Sequence, residues 1–167
     1  MCIRDRSKGL TGGAVPLAVT LATEAIFEAH LSPDRARMFF HSSSYTANPI
    51  ACAAAVANLA IWRDEPVLAR VVDLGTRQRE RLDRLSRFGG IGNVRSIGTI
   101  TACDLGRGGG DYLSALAPRL LGFFRDRDLL LRPLGKTVYV MPPYCISDDD
   151  LDRIYAAIGE AATELCS

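Results

Sequence analysis

The sequence makes little provision for a metal, a disulfide framework or a membrane span. Its five cysteines (Cys2, Cys52, Cys103, Cys145 and Cys166) are odd in number and form no CxxC pair, and His30 and His41 are the only histidines. That is a poor ligand supply for zinc, so no metal site is expected, and the cysteine pattern fits a reducing compartment. No apolar run approaches the ~18 residues needed to cross a bilayer, and the first residues lack a signal peptide's apolar core. Net charge is nearly absent as well, with 20 Lys+Arg against 19 Asp+Glu leaving +1. No global field therefore selects nucleic acid or an acidic surface. The arginines alternate with acids, as in Arg125-Asp126-Arg127-Asp128, which is the pattern of a solvated face. These absences lead us to expect a cytoplasmic globular chain with no nucleic-acid or membrane partner.

Several catalytic signatures are missing too. GRGGG at 106–110 has neither GxGxxG nor GxxxxGK[ST] spacing, and Asp111 beside it would repel a phosphate. It reads as a connecting loop. No GxSxG elbow accompanies His41-Ser42-Ser43-Ser44, and adjacent residues rarely reach nucleophile–base geometry. Two readings of that run stay open: a loop whose hydroxyls satisfy backbone groups, or an anion site ahead of a helix N-terminus.

What is present is an ordinary globular mixture, 48% apolar and 23% charged, patterned into mixed elements. Residues 16–22 are short, apolar and β-branched, which predicts a buried strand. Thr23 can cap a helix to about Leu31, and Met38-Phe39-Phe40 is a short apolar element. Asn48-Pro49 is a strong helix start, and the helix it opens, 50–62, is so rich in alanine that it suits close approach to another helix or subunit. A long amphipathic helix is expected over 65–87, with Val67, Leu68, Val71, Leu74, Leu82 and Leu85 on its stripe. Residues 94–105 read as a strand pair or one bent strand around Gly98, 112–127 as helix, and 129–133 and 137–141 as two short strands. Ser147 with Asp150 opens the final helix, whose buried face is expected to include Leu151, Ile154, Ile158 and Leu165. The order predicts an α/β or α+β layer.

Two more residues carry chemistry on their own terms. Lys8, set among Ser7, Gly9, Thr11, Gly12 and Gly13, is either a solvated surface charge or an amine placed where a bulky ligand can approach the backbone. Lysine amines form Schiff bases with aldehydes. Arg132, followed by Pro133, is either a strand-end arginine facing water or a fixed guanidinium able to clamp a carboxylate.

Taken in order, SKGLTGG at 7–13, HSSSYTANPIACAAA at 41–55 and LRPLGKTVYVMPPY at 131–144 resemble the class III, pyridoxal-phosphate-dependent aminotransferases. The resemblance runs from Ser7 almost to the last residue. It implies the C-terminal portion of a fold-type I transferase: residues 1–6 as a foreign or truncated start, 7–62 as the end of the cofactor-binding large domain with its interface helix, and 63–167 as a connecting helix and small α+β C-terminal domain. It implies pyridoxal 5′-phosphate as cofactor, with Lys8 its Schiff-base lysine. Ser44 takes the place of the hydroxyl residue that binds the cofactor phosphate across a homodimer interface, with Ser43 before it. Ser42 stands at a substrate-contacting position, and Arg132 at that of the arginine receiving the substrate carboxylate. Ser-Ser-Ser replaces the family's familiar Gly-Pro-Thr and keeps the hydroxyl at Ser44. NPIACAAA with RPLGK…YVMPPY is similar to the biotin-synthesis branch, which moves an amino group from adenosylmethionine, or lysine in some relatives, to 8-amino-7-oxononanoate. Such enzymes are more than twice this length, so the chain is expected to be a fragment, inactive alone. The alternatives are a class III enzyme acting on an ω-amino acid or other amine donor, and a non-catalytic interaction domain.

Overall fold

The computed structural model describes residues 3–41, 43–106 and 115–166, with backbone alone for 3–6. The chain divides into two compact units, Met1–Val67 and Leu68–Ser167.

In the first unit, β1 (Ile3–Arg6) pairs antiparallel with β2 (Val19–Ala22), Arg6 opposite Val19 and Ile3 opposite Ala22. A 3₁₀ turn, Lys8–Thr11, follows β1. The helices of this unit are α1 (Glu24–His30) and α2 (Pro49–Asp64). The start of α2 is built as its sequence predicts. Asn48 Oδ1 accepts from the amides of Ile50 at 3.0 Å and Ala51 at 3.3 Å, and Pro49, which has no N–H to satisfy, takes the first helical position.

Two local expectations for this unit need correction. All four residues of β2 are exposed, because the two-stranded ribbon meets α1 only across an open cleft lined by Thr20, Ala22, Ile26 and Phe27. Residues 38–40 form no regular element, and Phe39 and Phe40 stand exposed. In α2, Ala51 and Ala55 are buried and Ile50, Val56 and Leu59 face outward, a small-residue helix with an uncovered apolar side.

The second unit holds most of the core. It comprises α3 (Val67–Leu85, whose first residue closes the first unit), β3 (Ile91–Ile97), β4 (Ile100–Leu105), α4 (Leu116–Arg125), β5 (Thr137–Val140) and α5 (Asp148–Leu165). The strands form one antiparallel sheet in the order β3-β4-β5. Along β4 and β5 burial alternates with the pleat: Thr101, Cys103, Leu105, Val138 and Val140 point inward, while Ala102, Asp104 and Tyr139 are half-buried. The register pairs Thr101 with Val140 and Cys103 with Val138, so the inward residues of the two strands form one apolar surface. Leu74, Leu82 and Leu85 of α3, Leu120 and Phe124 of α4, and Leu151 and Ile158 of α5 close over it.

Gly98, at φ +55, begins the two-residue connection between Ile97 and Ile100. A positive φ at the first position of such a tight hairpin is what glycine supplies without strain. The expected strand over 129–133 does not form. Only Leu134 makes a bridge, to Thr137, because Gly135 at φ +62 turns the chain back within two residues and leaves 129–133 without a ladder partner. The helix expected over 112–127 is observed as α4, and residues 107–114 lie outside the described segment.

Two features of α3 were not readable from its stripe. Leu68 is exposed, whereas Gln78 and Arg81 are buried. Gln78 Nε2 donates to the Thr99 carbonyl at 2.5 Å, the Tyr155 hydroxyl donates to Gln78 Oε1 at 3.2 Å, and Thr101 and Tyr155 hydroxyls lie 2.6 Å apart. Every polar atom of the group is thereby satisfied inside the core. Burial pushes the Tyr155 phenol up to about 12 and the Cys103 thiol likewise to about 12, so both are neutral at ordinary pH. Arg81 Nε meets Asp152 at 2.8 Å and a terminal nitrogen meets Asp148 at 2.8 Å, tying α3 to α5.

The second feature is contact with the hairpin. A Cβ added at Gly75 would lie 2.6 Å from the Gly98 carbonyl oxygen. Gly75→Ala gains helix propensity of about 1 kcal/mol, yet pushing backbone from backbone costs ~1–3 kcal/mol. We expect a net loss of stability in urea unfolding. An equal or higher midpoint would show that the helix can move off the hairpin.

Candidate active site

Lys8 opens the turn that β1 feeds. The Leu10 amide donates to the Ser7 carbonyl at 2.7 Å, Gly12 to Gly9 at 3.3 Å and Gly13 to Lys8 at 3.2 Å. Gly12 and Gly13 adopt φ +62 and +87, a left-handed pair that side chains would strain. Thr11 is buried, and its hydroxyl donates to the Val15 carbonyl at 2.6 Å, closing the far side. The Lys8 side chain itself is exposed. A Cβ added at Gly9 or Gly13 would meet nothing within 4 Å, so open space flanks the turn at both glycines.

Asn58, on α2, reaches this turn. Its Nδ2 donates to the Gly9 carbonyl at 2.9 Å and to the Leu10 carbonyl at 3.0 Å. Our reading of the sequence missed it. The available signal was a lone amide between Pro49 and Ile61 in an otherwise apolar, small-residue helix.

Ser43 and Ser44 lie in the same unit, exposed, at the head of a turn that Thr46 N–H closes on the Ser43 carbonyl at 3.1 Å. Ala47, at φ +56, then redirects the chain into Asn48. Because Asn48 occupies the Ile50 and Ala51 amides, the serine hydroxyls rather than those amides are what this segment offers an anion. Ser42 lies outside the described residues. Among the described residues no hydrogen bond joins Lys8 to Ser43 or Ser44, nor His41 to either serine. The His41 ring stacks instead on Phe39, centroids 5.6 Å apart at 13°.

Arg132 belongs to the second unit. It is exposed and lines a cleft of about 290 Å³ with Leu131, Tyr139, Met141 and Pro142. A guanidinium at the rim of a mostly apolar cleft suits a ligand with an aliphatic body and a carboxylate end. On the half-buried face of the sheet, burial opposes ionisation of Asp104, but hydrogen bonds from Thr137, Asn93 and Arg95 prevail and hold its carboxyl below the usual range. Asp104 is thus a spent anion, already bound by its neighbours.

The family model described as aminotransferase class-III matches residues 2–162. The adenosylmethionine-8-amino-7-oxononanoate aminotransferase of Synechococcus elongatus is 41% identical over 159 residues, covering 95% of this chain and 37% of the relative. The bifunctional dethiobiotin synthetase/7,8-diamino-pelargonic acid aminotransferase of Oryza sativa is 37% identical over 169 residues, covering 94% and 20%. Among solved structures, the adenosylmethionine-8-amino-7-oxononanoate aminotransferase of Methanocaldococcus jannaschii superposes with a TM-score of 0.83 at 27% identity, over 97% of this chain and 38% of that one. An amine transaminase from an uncultivated Pseudomonas species, in its PLP-bound form, gives 0.79 at 28% identity, over 99% and 38%. The chain spans 37% of the length of the Synechococcus relative and 20% of that of the Oryza one. No described helix is long and apolar enough to cross a membrane. With the lysine turn, the hydroxyl turn before α2 and the α+β second unit all falling within one family match, the chain belongs to the class-III aminotransferases.

Proposed function

We propose that this chain carries the lysine and the substrate-carboxylate site of a pyridoxal-phosphate enzyme that transfers an amino group from adenosylmethionine to 8-amino-7-oxononanoate, giving 7,8-diaminononanoate. The observation that carries the reading is the exposed Lys8 amine, held on a hydrogen-bonded turn with open space on both glycine flanks. The donor set fits the cofactor's chemistry: a primary amine for an aldehyde, and the Ser43 and Ser44 hydroxyls for a phosphate. When bound, pyridoxal phosphate supplies an aldehyde and a conjugated ring that accepts an electron pair.

Within that framework the residues divide the work. The Lys8 amine would hold the cofactor through its aldehyde, and as a free amine it would carry a proton. Ser44, with Ser43 before it, would donate hydroxyl hydrogen bonds to the phosphate, and Ser42 would stand at the substrate-contacting position that the family resemblance implies. Arg132 receives the acceptor's distal carboxylate while the cleft beside it takes the aliphatic chain, which fixes orientation. The exposed Ile50, Val56, Leu59 and Trp62 of α2 give a second copy of the chain an apolar surface to cover.

A chimera tests this without assuming where the natural protein starts. Residues 7–167 are exchanged for the matching segment of the Synechococcus enzyme, and 7,8-diaminononanoate is measured with adenosylmethionine as donor. Product formation supports the reading. Turnover only with an ω-amino acid or another amine would favour the other class III activity. In the same chimera Arg132→Gln is expected to raise KM for 8-amino-7-oxononanoate about 30-fold with kcat less affected, as loss of a charge-assisted pair at a non-reacting end implies. An unchanged KM would remove Arg132 from the site.

A further inference from the structure

The turn that presents Lys8 has its carbonyls held in succession. The Lys8 carbonyl accepts from Gly13 N–H, the Gly9 carbonyl from Gly12 N–H and Asn58, and the Leu10 carbonyl from Asn58. Two of those bonds come from one amide group, 48 and 49 residues away in sequence, standing on a 16-residue helix. Both acceptors are carbonyl oxygens, so only the NH2 end of Asn58 can face them. Its Oδ1 then lies on the Gly12 side, where a Cβ would come within 3.5 Å. Asn58 is thus the joint between a turn held by its own backbone and the long helix beside it.

We propose that Asn58 is a positioning residue for Lys8. A lysine side chain is long and flexible, so where its amine can dwell is set by where its Cα is held. With Asn58 in place the base of that side chain stays fixed to α2 whether or not the amine is bonded. Without it, the turn keeps its internal hydrogen bonds but loses its register on the helix. The inference rests on the reading of Lys8 as the residue that bonds the cofactor aldehyde.

The test uses the chain as it is and exploits its having two lysines, Lys8 and Lys136. Wild type, Asn58→Asp and Asn58→Gln are incubated with pyridoxal phosphate and reduced with sodium borohydride. Pyridoxyl groups on the two lysines are then quantified by peptide mass spectrometry. Aspartate keeps the shape of asparagine but sets an oxygen against two carbonyl oxygens, whereas glutamine keeps the donor. We expect the Lys8 to Lys136 ratio to fall about fivefold or more in Asn58→Asp, as misplacement of a reacting group implies. Hydrogen exchange at Gly12 and Gly13 should quicken about tenfold, as local opening implies. Asn58→Gln should restore most of both, and exchange across Leu68–Ser167 reports that the variants remain folded. A ratio unchanged in Asn58→Asp overturns the proposal, even if exchange quickens. A wild-type ratio near one would instead sink the reading of Lys8, while the exchange rates would still decide whether Asn58 anchors the turn.

Discussion

Replacing Lys8 by alanine is expected to lower transamination by the chimera at least ~10³-fold, the scale on which loss of a covalent catalytic amine falls. The same change should leave folding intact. The Lys8 side chain is exposed, and the bonds that shape its turn are backbone bonds or come from Asn58 and Thr11. Surface substitutions of this kind shift stability by no more than about 0.5 kcal/mol. Activity and stability are therefore predicted to separate cleanly, and product formation beside thermal unfolding measures both. Loss of folding together with activity would make Lys8 structural. Retained activity would leave a non-catalytic interaction domain as the better account, because such a domain has no use for this amine.

The Phe124→Ala variant is expected to lose ~3–5 kcal/mol, the range for deleting a fully buried phenyl ring. Phe124 is 0% exposed. Its ring stands edge-on to Phe123, centroids 5.7 Å apart at 86°, and its carbonyl accepts from Leu129 N–H at 2.9 Å, across the turn after α4 in which Asp128 adopts φ +57. The substitution removes ring contacts in the core common to the sheet and α3, α4 and α5. Since domains are stable by only about 5–15 kcal/mol, much of the second unit's margin goes with it. Phe88→Ala is the control, because that ring is 51% exposed. Equal losses in guanidinium unfolding for the two variants would refute the assignment of the core.

Local signals in the sequence were strong wherever the decisive interaction spans few residues. Asn48-Pro49 and Ser147 with Asp150 announced two helix starts because a cap bonds within its own first turn, and Ser147 does accept from the Asp150 amide at 3.1 Å. Gly98 marked the hairpin because a positive φ selects glycine. The failures were tertiary. Residues 129–133 are as apolar as a strand, but a strand needs a partner and the chain turns away from one. The stripe on α3 concealed Gln78, whose polar atoms find Thr99, Thr101 and Tyr155 only after folding. In the candidate site, residue types suggested chemistry for Lys8, Ser43, Ser44 and Arg132. The lone amide of Asn58 in an apolar helix was the one local trace of its bonds to the lysine turn, and it could not name the partner, since they join segments 48 and 49 residues apart.

The bonds between α3 and α5 also set an order of events. Gln78 and Tyr155 are 77 residues apart, and Arg81 and Asp152 are 71 apart, whereas β3 and β4 meet across two residues. Closing so long a loop loses entropy before its contacts form. The hairpin can therefore flicker into being early and alone, while the final helix arrives last and converts a loose assembly into a cooperative one. Mutations at the Arg81–Asp152 junction should accordingly be felt as faster unfolding, and those in the hairpin as slower folding.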